Sequence, residues 1–97
     1  MKRMYVLIAD WMDIGHVVNS CVHAGAMIES RFDRKDPAMA DWYANSFRKI
    51  TCKVTPEEFE RAKQFEDWFA VTESAFDNKE VILVFKPREK RGGPRLA

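Results

Sequence analysis

Tyr5-Val6-Leu7-Ile8-Ala9 is an unbroken apolar run that stops at Asp10, a pattern that predicts a strand buried on both faces beneath helices. A loop over Asp10 to Ile14 follows. From Gly15 to about Phe32 the apolar positions Val17, Cys21, Ala24 and Ile28 recur at helical spacing, with Val18, Val22 and Gly25 widening the stripe. Asp36-Pro37 places a capping acid before a first-turn proline, so a second helix carries Met39, Trp42 and Tyr43 until Asn45-Ser46 breaks it. Phe47 to Val54 alternates: Ile50, Cys52 and Val54 share one face of a strand, and Lys49, Thr51 and Lys53 share the other. Thr55-Pro56-Glu57-Glu58 is a capping box that starts a third helix, expected to reach about Phe65. Phe69 to Thr72 reads as a strand, Asp77-Asn78-Lys79 as a turn tolerant of left-handed backbone, and Glu80 to Lys86 as the returning strand of a hairpin.

The order β-α-α-β-α-β-β implies an α/β fold. Helix-containing connections favour parallel neighbours, and the closing hairpin adds an antiparallel pair. A mixed sheet of about four strands flanked by helices is the economical solution. One domain is expected over residues 1–87. Residues 88–97 are basic and rich in Gly and Pro, and read as a flexible tail, either solvated or touching RNA phosphates.

Composition narrows the class. With 46% hydrophobic and 32% charged residues, the chain has the makings of a packed core and not of a disordered segment. A net charge of +1 gives no bulk electrostatic argument for nucleic acid or membrane. Cys21 and Cys52 are too few for a disulfide framework and read as reduced core residues. No secretory leader and no apolar run of membrane-spanning length is apparent, so a cytoplasmic protein without a membrane partner is expected.

Ligands of open α/β sheets gather where strands end and helices begin. Here that junction is Asp10 to His16. Gly15 would let a ligand approach the backbone, and the helix start offers free N–H groups to an anion or oxyanion. His16, Asn19, Ser20 and His23 fall on one helical face, either a solvated stripe or the wall of a cleft. His16 is the candidate general base, and Asp10, Asp13 and Glu73 are the candidate acids. His23 reads as a hydrogen-bonded packing residue. Trp11 and Met12 are either an exposed contact patch or a cover for the sheet end, with burial of at least one expected. A zinc site is disfavoured, since Cys21 lies on the apolar side of the helix from both histidines.

Several segments together resemble a known family. Tyr5 to Ala24, with its apolar strand, acidic loop, Gly15 and Cys21-Val22-His23-Ala24, resembles the opening of type II peptidyl-tRNA hydrolases. Arg48-Lys49-Ile50-Thr51-Cys52-Lys53-Val54 is similar to that family's second strand, and Val71-Thr72-Glu73-Ser74-Ala75 with Val81 to Pro87 to its last two. The resemblance covers most of residues 4–87. It implies hydrolysis of the ester in peptidyl-tRNA or a related substrate, with no cofactor and with tRNA or peptidyl-tRNA as partner. A catalytically inactive relative that binds RNA or protein is the alternative, and a homodimer is compatible with either. Anchored on His23-Ala24, the family's lysine position carries His16, its glutamine position Ser20, and its aspartate position Glu73, while the family's Gly-Arg-Thr segment is missing or shortened. The implied catalytic set is His16, Glu73 and Ser20. Gly15, Asp13, Trp11, Asn19 and Ser74 would bind substrate, and no metal is implied.

Overall fold

The computed structural model describes residues 1–89. Strand β1 (Lys2–Ala9) is followed by helices α1 (Ile14–Arg31) and α2 (Pro37–Ala44), strand β2 (Arg48–Val54), helix α3 (Pro56–Ala62), and strands β3 (Trp68–Glu73), β4 (Lys79–Phe85) and β5 (Arg88–Glu89). The chain forms the single mixed α/β domain that its periodicity predicts. The sheet runs β2-β1-β4-β3, with β5 beside the start of β1. β1 and β2 are parallel, whereas β4 is antiparallel to both β1 and β3.

Central strands explain the apolar runs. Val81, Ile82, Leu83, Val84 and Phe85 are all fully buried, as a strand covered on both faces requires. The sheet face of Met4, Val6 and Val84 packs under α1, and Ala9 on the other face meets Phe59 of α3. α1 sits over β3 and β4, so β2 keeps its outer positions Lys49, Thr51 and Lys53 exposed.

Three local features differ from the sequence expectation. The buried face of α1 is centred on Ser20 and Ala24, while Val18 and Val22 point to solvent at 56% and 67% exposure. A small serine fits under Met12 and joins Val17, Cys21 and Ile28 on the packed side of the helix, while Asn19 and His23 of the polar stripe stay exposed. β1 begins at Lys2 because charged residues there gain strand partners in both β2 and β5. Arg88 and Glu89, expected in the tail, form that β5 pairing, and the remaining tail positions, 90–97, lie outside the described residues.

The helix starts carry the expected caps. Asp13 accepts from the His16 N–H, Asp36 from the Ala38 N–H, and Thr55 and Glu58 close a full capping box. These bonds favour the ionised carboxyls. Asp13 is held below the usual carboxylate range first by the His16 backbone N–H and then by its ring, and Glu58 by the Thr55 N–H. Burial pushes Asp36 up, but Lys86 and the Ala38 N–H outweigh it, so its net shift is also downward. Carboxyls lowered by folding stabilise the fold above their unfolded values, about 4, and that contribution is lost as pH falls through the lower folded values. Urea midpoints should therefore hold from neutral pH to about 5 and fall progressively below 4. A flat midpoint down to pH 2 would show that the caps contribute nothing.

Candidate functional site

The C-terminal ends of parallel β1 and β2, the end of β3 and the start of β4 converge on one edge of the sheet, since Ala9 lies opposite Val54 and Glu73 opposite Lys79. Three connections meet there: Asp10 to Asp13, the Thr55 cap, and the 3₁₀ turn Ser74–Phe76 with its left-handed Asp77 and Asn78. The left-handed pair is what the Asp-Asn turn predicts.

His16 lies in the first turn of α1. Both oxygens of Asp13 sit 2.9 Å from its Nδ1, while Asp13 Oδ1 also accepts the His16 backbone N–H at 3.0 Å. One N-cap residue thus caps the helix and fixes the ring. The imidazole side chain remains 38% exposed. It lies against Phe76 at a centroid distance of 4.7 Å, and Trp11 meets the same ring edge-on at 5.0 Å. Lys79 Nζ stands 5.8 Å from the Trp11 ring centre. On the α3 side of Trp11 lies an open hollow of about 250 Å³ whose lining includes Ala9, Phe59, Lys79 and Glu80. Trp11 lines that hollow and also meets the Phe76 ring that packs on His16.

The remaining expected site residues separate into distinct environments. Ser20 is fully buried, and its Oγ faces the Met12 sulfur at 4.0 Å. Of the Trp11–Met12 pair, Met12 is buried at 6% and Trp11 is half-exposed at 43%. Glu73 is buried at 8% and accepts the Ala75 N–H, closing the 3₁₀ turn. The carboxylate that meets His16 is Asp13. Gly15 needs no glycine conformation, because a Cβ there would meet only Asp13 Oδ1 at an ordinary 3.5 Å. Asn19 is exposed and lies 3.4 Å from His23 Nε2. Ser74 is exposed, and its carbonyl accepts the Asp77 N–H. Phe76 and Lys79 have no marker in the sequence: they join the group only because the hairpin register brings the 3₁₀ turn to the start of α1.

Cys21 and Cys52 are free and half-buried, with burial raising the Cys21 thiol pKa. Among the described residues no three His, Cys, Asp or Glu side chains converge as metal ligands, and no helix is long and apolar enough to cross a membrane.

No family model and no curated protein matches this chain. A serine hydroxyl sealed under a thioether cannot reach a substrate. Ser20→Ala should accordingly leave any turnover of the domain within about twofold and its stability within about 1 kcal/mol, since the serine makes no strong hydrogen bond. A large loss of rate with the fold intact would place Ser20 back among the reacting groups.

Proposed function

We propose that this domain hydrolyses an ester of the peptidyl-tRNA type, with the His16 imidazole as general base and Asp13 as its orienting carboxylate. The observation that carries the reading is the two-oxygen grip of Asp13 on Nδ1 at 2.9 Å with the ring still open to solvent. A carboxylate on Nδ1 selects the tautomer that carries its proton there, which leaves the Nε2 lone pair as base. Water attacking the ester carbonyl would pass its proton to Nε2, and the imidazolium would return it to the departing ribose oxygen. The positive end of the 18-residue α1 favours charge developing on the carbonyl oxygen. Trp11, half-exposed beside the hollow, offers a surface on which a terminal base can stack.

The resemblance to type II peptidyl-tRNA hydrolases supports the substrate class, with Asp13 taking the acidic role that the sequence comparison gave to Glu73. A second reading is a non-catalytic relative that binds RNA or a protein partner at Trp11 and His16. It is favoured by the fates of Ser20, which is sealed, and Glu73, which is engaged in a turn. Incubating the full chain at micromolar concentration with a defined peptidyl-tRNA and following free tRNA separates the two. Turnover that saturates with substrate supports hydrolysis. Binding with no tRNA release selects the second reading and removes the first.

A further inference from the structure

A second cavity, of about 150 Å³, lies between α1 and the β1–β2 side of the sheet. Ala24, Gly25 and Ile28 of α1 form its wall, and Met4, Val6 and Val84 of the sheet form its floor. None of them carries a polar side chain. The space exists because α1 leans over β3 and β4 and leaves a gap above β2. An apolar space of this size holds water poorly and takes one benzene-sized group. The exposed residues of the lining, Gly25, Lys49 and Thr51, mark its mouth. Gly25 does not have a positive φ, and a Cβ there would meet nothing within 4 Å. Backbone and packing would therefore both accept alanine, which suits a helix interior better than glycine does. The fold gains nothing from glycine at this position, whereas the cavity gains an open mouth.

Polar groups reach the same mouth from one face of β2. Lys49 is the one charged residue of the lining. Its Nζ lies 3.3 Å from the centre of the Phe47 ring and 5.5 Å from that of Trp42. It has no carboxylate partner among the described residues. A ring face holds an exposed ammonium more weakly than a hydrogen-bonded carboxylate does. Thr51, two positions along the strand on the same face, has no hydrogen-bond partner for its hydroxyl among the described residues. An apolar hollow with an unneutralised ammonium and an unengaged hydroxyl at its mouth complements an apolar body that ends in a carboxylate.

We propose that this cavity binds a small monocarboxylate whose apolar body is about the size of one benzene ring, with the body between Gly25 and Val84 and the carboxylate on Lys49 and Thr51. The body leaves water for the side chains of Met4, Val6 and Ile28. The ammonium turns from the Phe47 ring to one carboxylate oxygen, and the Thr51 hydroxyl donates to the other. Gly25 lies about 14 Å along α1 from His16, so this site stands or falls independently of ester hydrolysis.

The test is ¹H–¹⁵N correlation spectroscopy of the full chain titrated with phenylacetate, with neutral phenylacetamide and ringless acetate as the other arms. Phenylacetate should shift the Gly25 and Thr51 amides saturably, with a Kd on the order of 1 mM or tighter, as about ten non-hydrogen atoms allow. Phenylacetamide and acetate should each bind about tenfold more weakly. Lys49→Met keeps the stem and removes the charge, so it should weaken phenylacetate about tenfold and leave phenylacetamide unchanged. Gly25→Leu fills the mouth and should abolish both complexes while raising the urea midpoint. Cys21 lines the cavity and is half-buried, so its alkylation in a Cys52→Ser chain reports occupancy. Phenylacetate at about five times its Kd should slow that reaction about fivefold. Absence of saturable shifts up to about 10 mM phenylacetate overturns the proposal. So does equal affinity for phenylacetate and phenylacetamide, binding retained in Gly25→Leu, or an unchanged alkylation rate at Cys21. A dimer in sedimentation equilibrium that Gly25→Leu abolishes would assign the groove to a second copy of the chain and overturn it as well.

Discussion

His16→Ala should lower turnover of a peptidyl-tRNA ester about 10²–10⁴-fold, the usual contribution of a positioned general base. His16 sits half-buried in the first turn of α1 against Asp13 and Phe76, away from the central sheet, so the variant should fold normally. The informative partner variant is Asp13→Asn. Asparagine caps a helix about as well as aspartate, so α1 should keep its start. An amide, however, no longer demands a proton on Nδ1, and the base loses its fixed tautomer. The rate in Asp13→Asn should therefore fall by about 10-fold or more while the thermal midpoint stays nearly constant. Equal rates in wild type and both variants would remove the pair from the chemistry.

Trp42→Ala should destabilise the domain by about 3–5 kcal/mol, the range for deleting a buried large aromatic. Trp42 is 1% exposed and touches the Tyr43 and Phe47 rings at 5.0 and 4.9 Å. Its Nε1–H donates to the Arg48 carbonyl at 2.7 Å, which ties α2 to the first residue of β2. Trp42→Phe keeps most of the buried area and loses that bond, so it should cost only about 1 kcal/mol. Chemical denaturation of both variants measures the two contributions. A loss below about 1 kcal/mol for Trp42→Ala would mean that α2 is not part of the cooperative core.

Elements that bury one face or both were legible in the sequence for physical reasons. The Val81–Phe85 run and the Thr55–Glu58 box leave few alternatives, and both are where the pattern puts them. The Asp36 cap and Pro37 start are equally explicit. Failures came where size overruled polarity. Ser20 looks like a site residue by type, yet its small volume suits the packed side of α1 under Met12. Val18 and Val22 look like core, yet the sheet lies on the opposite side of the helix. α3 stops at Ala62, short of the Phe65 that its apolar pattern suggests, and Lys63 to Phe65 continue only as turns bonded to carbonyls three residues back.

The site was legible in part. Position was readable, because strand ends and helix starts attract ligands wherever such sheets occur. The partner of His16 was harder to choose between acids. Asp13 lies three residues before His16, where an N-cap can reach the ring, whereas Glu73 depends on tertiary placement and a turn claims it first. Phe76 and Lys79 depend on register, which needs pairing information that one sequence does not contain.

The tautomer of His16 tests the central claim most directly. Long-range ¹H–¹⁵N correlation of the ring at a pH where it is neutral reads which nitrogen holds the proton. A proton on Nδ1 in the wild type, lost from that position in Asp13→Asn, is the predicted result. An Nε2–H ring in the wild type, unaltered by the substitution, would contradict it.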